Sequence, residues 1–202
     1  MISLKDFADM SDKLGLLQVV KGKLLRQPDA ASEKLLAALE EVRKIYQAFD
    51  QELTRYFALT LEPDQLAEDK RTLMELEGGQ TAARMSAARG HCSRIENIYD
   101  RFLHPWFDRV LAPDESSLMA GLFSDLASVD NLLLDMIDQL AGWLAETAGK
   151  TLELVDKGDI PAAQKQIAEA RRQTIRQRRA ISTAMQRINE TEADFVEASG
   201  AV

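Results

Sequence analysis

The sequence predicts an all-α protein, an elongated antiparallel bundle of about five long helices with a C-terminal helical hairpin. Three observations carry this. Apolar residues recur in alternating steps of three and four along most of the chain. Only five prolines and ten glycines punctuate it, so its elements are long. The content of 46% hydrophobic and 29% charged residues is that of a chain able to build a core. At 202 residues it can bury roughly 70% of its unfolded surface without disulfides or a structural metal. One helical-bundle domain over 1–202 is expected, with 112–116 as the candidate subdivision and a C-terminal hairpin over 116–199.

The first helix spans Ser3 to about Gln27, on Leu4, Phe7, Met10, Leu14, Leu17 and Leu24. Gly15 and Gly22 inside it each cost roughly 1 kcal/mol relative to Ala. Pro28-Asp29 ends it and opens the second helix, Asp29 to Leu61. Here Leu35, Leu39, Val42, Tyr46, Phe49, Leu53 and Tyr56 form an unbroken heptad stripe. Leu36, Ile45 and Phe57 widen that stripe, which suits burial against several partner helices.

Glu62-Pro63-Asp64 starts a third helical region reaching Leu111, with Met85, Ala88, Cys92, Ile95, Tyr99, Phe102 and Trp106 on its stripe. Gly78-Gly79 predicts a kink or short break, and Pro105 a bend in the last turns. After Ala112-Pro113-Asp114-Glu115-Ser116, a fourth helix to Val155 carries Leu118, Leu122, Leu126, Val129, Leu133, Leu140 and Leu144. The Asp156-to-Pro161 segment is a short turn with stop and start signals. A fifth helix follows, on Ile160, Ala163, Ile167, Ala170, Thr174, Ile181, Met185, Ile188 and Phe195. A hairpin centred on Gly158 would bring Glu146 to Arg171 or Arg172, Asp138 to Arg178 or Arg179, and Asp130 to Arg187.

Function has fewer signals. The start of the chain lacks the basic, apolar and small-residue pattern of a secretory leader, and the lone Cys92 cannot form an intramolecular bridge. A cytoplasmic protein is expected, with no membrane span, because even the Leu-rich segment from Leu132 is interrupted by Asp135 and Asp138. No cofactor is expected: neither His91 nor His104 follows a Glu by three residues, and no phosphate loop or zinc motif occurs. The acids Glu40-Glu41 and Glu75-Glu77 read as surface.

Long amphipathic helices without a catalytic constellation point to a non-catalytic protein-interaction or scaffolding module. It would act through its apolar stripes on another protein or a second copy of itself. Candidate contacts are Tyr46, Phe49, Trp106 and Trp143. A second surface is the arginine face, where Arg172, Arg176 and Arg179 point outward while Arg171 and Arg178 flank the buried stripe. That face could hold nucleic acid or another anionic surface, although a net charge of −8 opposes non-specific polyanion binding. Arg84 and His91, with six residues between them, are similar to the Arg-x(4–6)-His signature of HEPN-type helical ribonucleases. The resemblance covers eight residues and implies a dimeric bundle in which this pair acts on an RNA phosphodiester without a metal.

Overall fold

The computed structural model describes residues 9–10, 12–24, 30–127 and 132–198, and every regular element among them is helical. We number them α1 (Leu16–Leu24), α2 (Ala30–Phe57), α3 (Leu66–Glu77), α4 (Gln80–Ile98), a π-helical turn (Tyr99–Leu103), α5 (His104–Val110), α6 (Pro113–Ala127), α7 (Leu132–Asp156), α8 (Ile160–Gln173) and α9 (Ile175–Ala198). The all-α bundle expected from the sequence is present. The expected third and fifth helices are instead rods built from shorter pieces, whereas the expected fourth is α6 and α7, which one helical segment, Pro113–Asp156, takes in.

Side-chain pairs give the direction of each rod. Glu52 meets Arg84 while Glu41 meets His91 and Arg94, so α4 runs antiparallel to α2. Lys70 meets Asp156 and Arg89 meets Asp138, so α3 and α4 together run antiparallel to α7. Arg43 reaches Glu192 from α2, and Arg178 lies over the Phe57 ring, so α9 is antiparallel to α2 as well. The result is up-down-up-down: α2, then α3 to α5, then α6 and α7, then α8 and α9. The helix α8 packs on α7, but α9 leaves that partner for α2. Between α6 and α9 sits α1, with Lys13 on Asp125, Lys23 on Glu115, and Gln18 donating to Thr191 Oγ1.

The α2 stripe behaves as its spacing predicts: Leu35, Leu39, Val42, Tyr46, Phe49, Leu53 and Tyr56 are all buried. Each such side chain contributes roughly 1.5–3 kcal/mol by leaving water. The break at Gly78-Gly79 is real, with Gly79 at φ 83°. In the left-handed region a β-carbon is costly, so glycine suits this junction.

The stripe of the third region fails at Phe102 and resumes at Trp106. Phe102 is 47% exposed, and Leu103, Trp106 and Phe107 are buried. The cause is the π turn, in which the His104 N–H donates to the Tyr99 carbonyl, one residue further back than in an α-helix. Pro105 follows at once; it has no N–H, and in regular α geometry its ring collides with the carbonyl four residues before it. The added residue rotates the helix and substitutes Leu103 and Phe107 for Phe102. In the fourth region Leu118 is exposed and Met119 takes its place, one turn before the buried Leu122. Val129 and Asp130 lie outside the described residues.

The last rod bends at Thr174. Its hydroxyl donates back to the Ala170 carbonyl at 3.0 Å, a bond that competes with the helix and bends it. Of the charge pairs expected across the final hairpin, those of Asp138 and Glu146 are not formed, and that of Asp130 lies outside the described residues. Asp138 pairs with Arg89, Glu146 pairs with Lys150, and Arg171 and Arg178 turn to Phe57. The segment Pro113–Asp156 is long and apolar enough to cross a membrane by length and composition; 43% of its most apolar window is buried in the fold.

The buried Tyr46 hydroxyl meets no hydrogen-bond partner, and burial pushes its phenol well above the usual range. An unmet buried hydroxyl costs roughly 1–3 kcal/mol. Tyr46→Phe should therefore raise stability by about 1 kcal/mol in urea unfolding; a loss of stability would show that the hydroxyl has a partner.

Candidate functional site

The Arg84 and His91 pair lies on the seam between α2 and α4, where it faces two buried acids. Glu52 accepts from Arg84 Nε at 2.5 Å, from Arg84 Nη2 at 3.1 Å and from Thr81 Oγ1 at 3.2 Å. Two turns along α4, His91 Nδ1 sits 2.6 Å from Glu41 Oε2, which also accepts from Arg94 Nε at 2.5 Å. Lys44 Nζ donates to the other Glu41 oxygen at 2.7 Å. Burial pushes the Glu41 carboxyl up, but hydrogen bonds from Lys44, Arg94 and His91 and the Arg94 charge outweigh it and bring it from 4.5 to about 2. Chemically, this seam neutralises its own cations. The contacts use Arg84 Nε and Nη2 and His91 Nδ1, so these atoms serve the fold of the seam.

Glu41 therefore corrects the expectation that Glu40-Glu41 is surface. It is 9% exposed and Glu52 4%. A third buried acid, Asp69, accepts from Thr60 N–H at 3.1 Å and Leu61 N–H at 2.7 Å, and so holds the α2–α3 loop in which Leu61 has φ 55°.

The proposed apolar contacts lie mostly inside. Tyr46 and Phe49 are fully buried and pack edge to face, with ring centroids 5.8 Å apart. Trp106 is 3% exposed. All three fill the core and present no surface, because the stripes that carry them are already covered by neighbouring helices of the same chain. Trp143 is half-buried and rests edge-on against Tyr56 at 6.4 Å.

The arginine face is a different case. Arg171 Nη2 donates to the Phe57 carbonyl at 2.5 Å, at the C-terminal end of α2, where a cation is favoured by the helix dipole. Both the Arg171 and the Arg178 guanidinium groups lie over the Phe57 ring, at 5.8 and 5.5 Å. Arg172, Arg176 and Arg179 point to solvent, as their spacing predicts. Among the described residues, the carboxylate contact of this group is Arg172 with Glu169, 3.7 Å apart and well exposed on both sides.

A groove of about 310 Å³ lies at the α5–α6 junction, between His104, Asp108, Leu111, Pro113, Ser116 and Ser117. Ser116 Oγ donates to Asp108 Oδ1 at 2.6 Å, and His104 Nε2 is 3.4 Å from Asp108 Oδ2. The carboxylate stands between serine and imidazole. In this order the imidazole is not placed to take the serine proton, so the trio is not a nucleophile-activating relay. No group of three or more His, Cys, Asp or Glu able to hold a metal ion occurs among the described residues.

No family model, curated protein or solved structure matches this chain. The likeness to HEPN-type ribonucleases thus rests on Arg84, His91 and their spacing.

The Glu41 network makes stability depend on acidity. Its carboxyl ionises more readily folded than unfolded, so its contribution is complete above about pH 4.5 and is lost as the pH falls toward 2. Urea unfolding should show Glu41→Gln less stable than the natural chain at pH 7, with the gap closing between pH 4.5 and 2. A gap independent of pH would rule out this origin.

Proposed function

We propose that this chain is a non-catalytic helical interaction module that docks a partner protein through the arginine face of α8 and α9. The observation that supports this best is the surplus of uncompensated positive charge there. Arg172, Arg176 and Arg179 are exposed in a chain of net charge −8, and the nearest carboxylate contact is the exposed Glu169. Exposed ion pairs of that kind contribute at most about 1 kcal/mol, so Glu169 leaves the face open to a stronger partner. The apolar stripes first read as docking surfaces are used up by folding, whereas this surface is not. The ribonuclease reading rests on the Arg84–His91 spacing, while both side chains already have a role in joining α2 to α4.

The test is a pull-down of protein and nucleic acid with the tagged full chain, its R172E/R176E/R179E variant and its His91→Ala variant. A protein partner retained by the natural chain and by His91→Ala, and lost on charge reversal with thermal stability unchanged, is the expected result. RNA cleavage that disappears in His91→Ala would replace this reading with catalysis.

A further inference from the structure

We infer that the α8–α9 face takes an acidic amphipathic helix of a partner protein, its carboxylates on the guanidinium groups and an apolar residue on Ile175. This rests on the reading of that face as the docking surface and adds the chemistry of the partner. Five arginines fall between Arg171 and Arg179, and Arg172, Arg176 and Arg179 follow one another at steps of four and three. Arg176 and Arg179 lie one turn apart on α9, and Arg172 stands before the bend at the end of α8. Carboxylates one turn apart on a partner helix would meet the α9 pair, and a further one Arg172.

The groups beneath the strip make it more than a solvated face. Arg171 and Arg178 share the Phe57 ring, so two like charges are held close together. The Nε of Arg178 is buried and has no hydrogen-bond partner. An anion placed over this pair relieves their repulsion, and no carboxylate of the described chain does so.

Ile175 decides which class of anion fits. It is 50% exposed, an unusual position for a β-branched apolar side chain flanked on both sides by arginines. A phosphate backbone offers it no apolar contact, whereas a helix carrying Leu between Glu residues does. The net charge of −8 also opposes a long polyanion or an anionic bilayer more than a short helix.

The experiment is fluorescence anisotropy of the full chain with a labelled synthetic helix of about 20 residues, in which Glu at steps of three and four flanks a central Leu. The same peptide with Gln for Glu, a single-stranded RNA of equal charge and phosphatidylserine-containing vesicles serve as competitors. The Glu peptide should bind and the Gln peptide should not. R172A/R176A/R179A should weaken binding about tenfold or more, and Ile175→Ser about threefold. Absence of Glu-peptide binding, indifference to the triple substitution, or preference for RNA or vesicles would overturn the inference. If the cellular protein partner is lost on charge reversal and the Glu peptide still fails to bind, only the partner's acidic chemistry falls and the docking face stands. If the cellular partner survives charge reversal, the docking face itself falls.

Discussion

Burial of α2 against several helices at once, with a face through Glu33, Ala37, Gln47, Gln51 and Thr54 left to solvent, is the constraint on which the rest of the structure depends. Its stripe residues from Leu35 to Tyr56 are shielded by α4 on one flank and α9 on the other, with α3, α7, α8 and the π turn adding to the cover. A helix buried this widely cannot be solvated along its flanks, so its flanking acids must find cations. Glu41 and Glu52 lie three turns apart, as do Arg94 and Arg84 in reverse order on α4. The acids thus fix the sliding register of the two helices, a task that non-directional apolar contacts perform poorly. Breaking one pair would leave a buried carboxylate with fewer donors, which is costlier than losing a surface ion pair.

The interruptions in the other rods follow from the need to wrap that central helix. A straight rod contacts a neighbour along one line, while four rods of different composition must keep apolar faces inward over their whole length. Gly79 redirects α4 after α3, the π turn rephases the chain before α5, and Thr174 moves α9 from α7 to α2. That last departure opens a space beside α6 which α1 occupies, burying Met10, Leu14 and Leu17. The first helical segment is therefore part of the bundle, and it too breaks, at Gly15. A β-carbon there would meet the Asp12 carbonyl at 2.9 Å.

The α2 stripe and the break at Gly78-Gly79 were legible because spacing and glycine act locally. The π turn was not, since Pro105 announces a disturbance without saying whether the helix bends or widens, and the exposure of Phe102 depends on that choice. Thr174 was misleading in another way: it falls on the apolar stripe and is buried, yet its hydroxyl bends the rod. Glu41 and Glu52 could have been found. Each sits one position before a stripe residue on the widened side of α2, and the spacing of Arg84, His91 and Arg94 matches theirs across an antiparallel seam. Reading Arg84 and His91 as a reactive pair overlooked that two hydrogen-bonding side chains two turns apart on one helix face also suit two acids on another.

The same logic separates the arginines of the last rod. Arg178, half-buried, and Arg171, exposed, both reach the end of α2, through the Phe57 carbonyl and ring. They can leave the charge partners expected on α7 because the helix terminus supplies partial negative charge and the ring supplies a face for the cation. Among the described residues, Arg172 meets the exposed Glu169, and no comparable group reaches Arg176 or Arg179. A solvent-facing helix needs only good helix formers, and Lys, Glu or Gln serve as well as Arg. Three arginines on one face, beside an exposed Ile175 and above a buried guanidinium nitrogen that lacks an acceptor, exceed what folding requires of this segment. The guanidinium group differs from those alternatives in its planar fork of donors, which matches a carboxylate edge to edge. That excess is the observation on which the proposed docking face rests, on a rod whose Phe57-facing side already serves the fold.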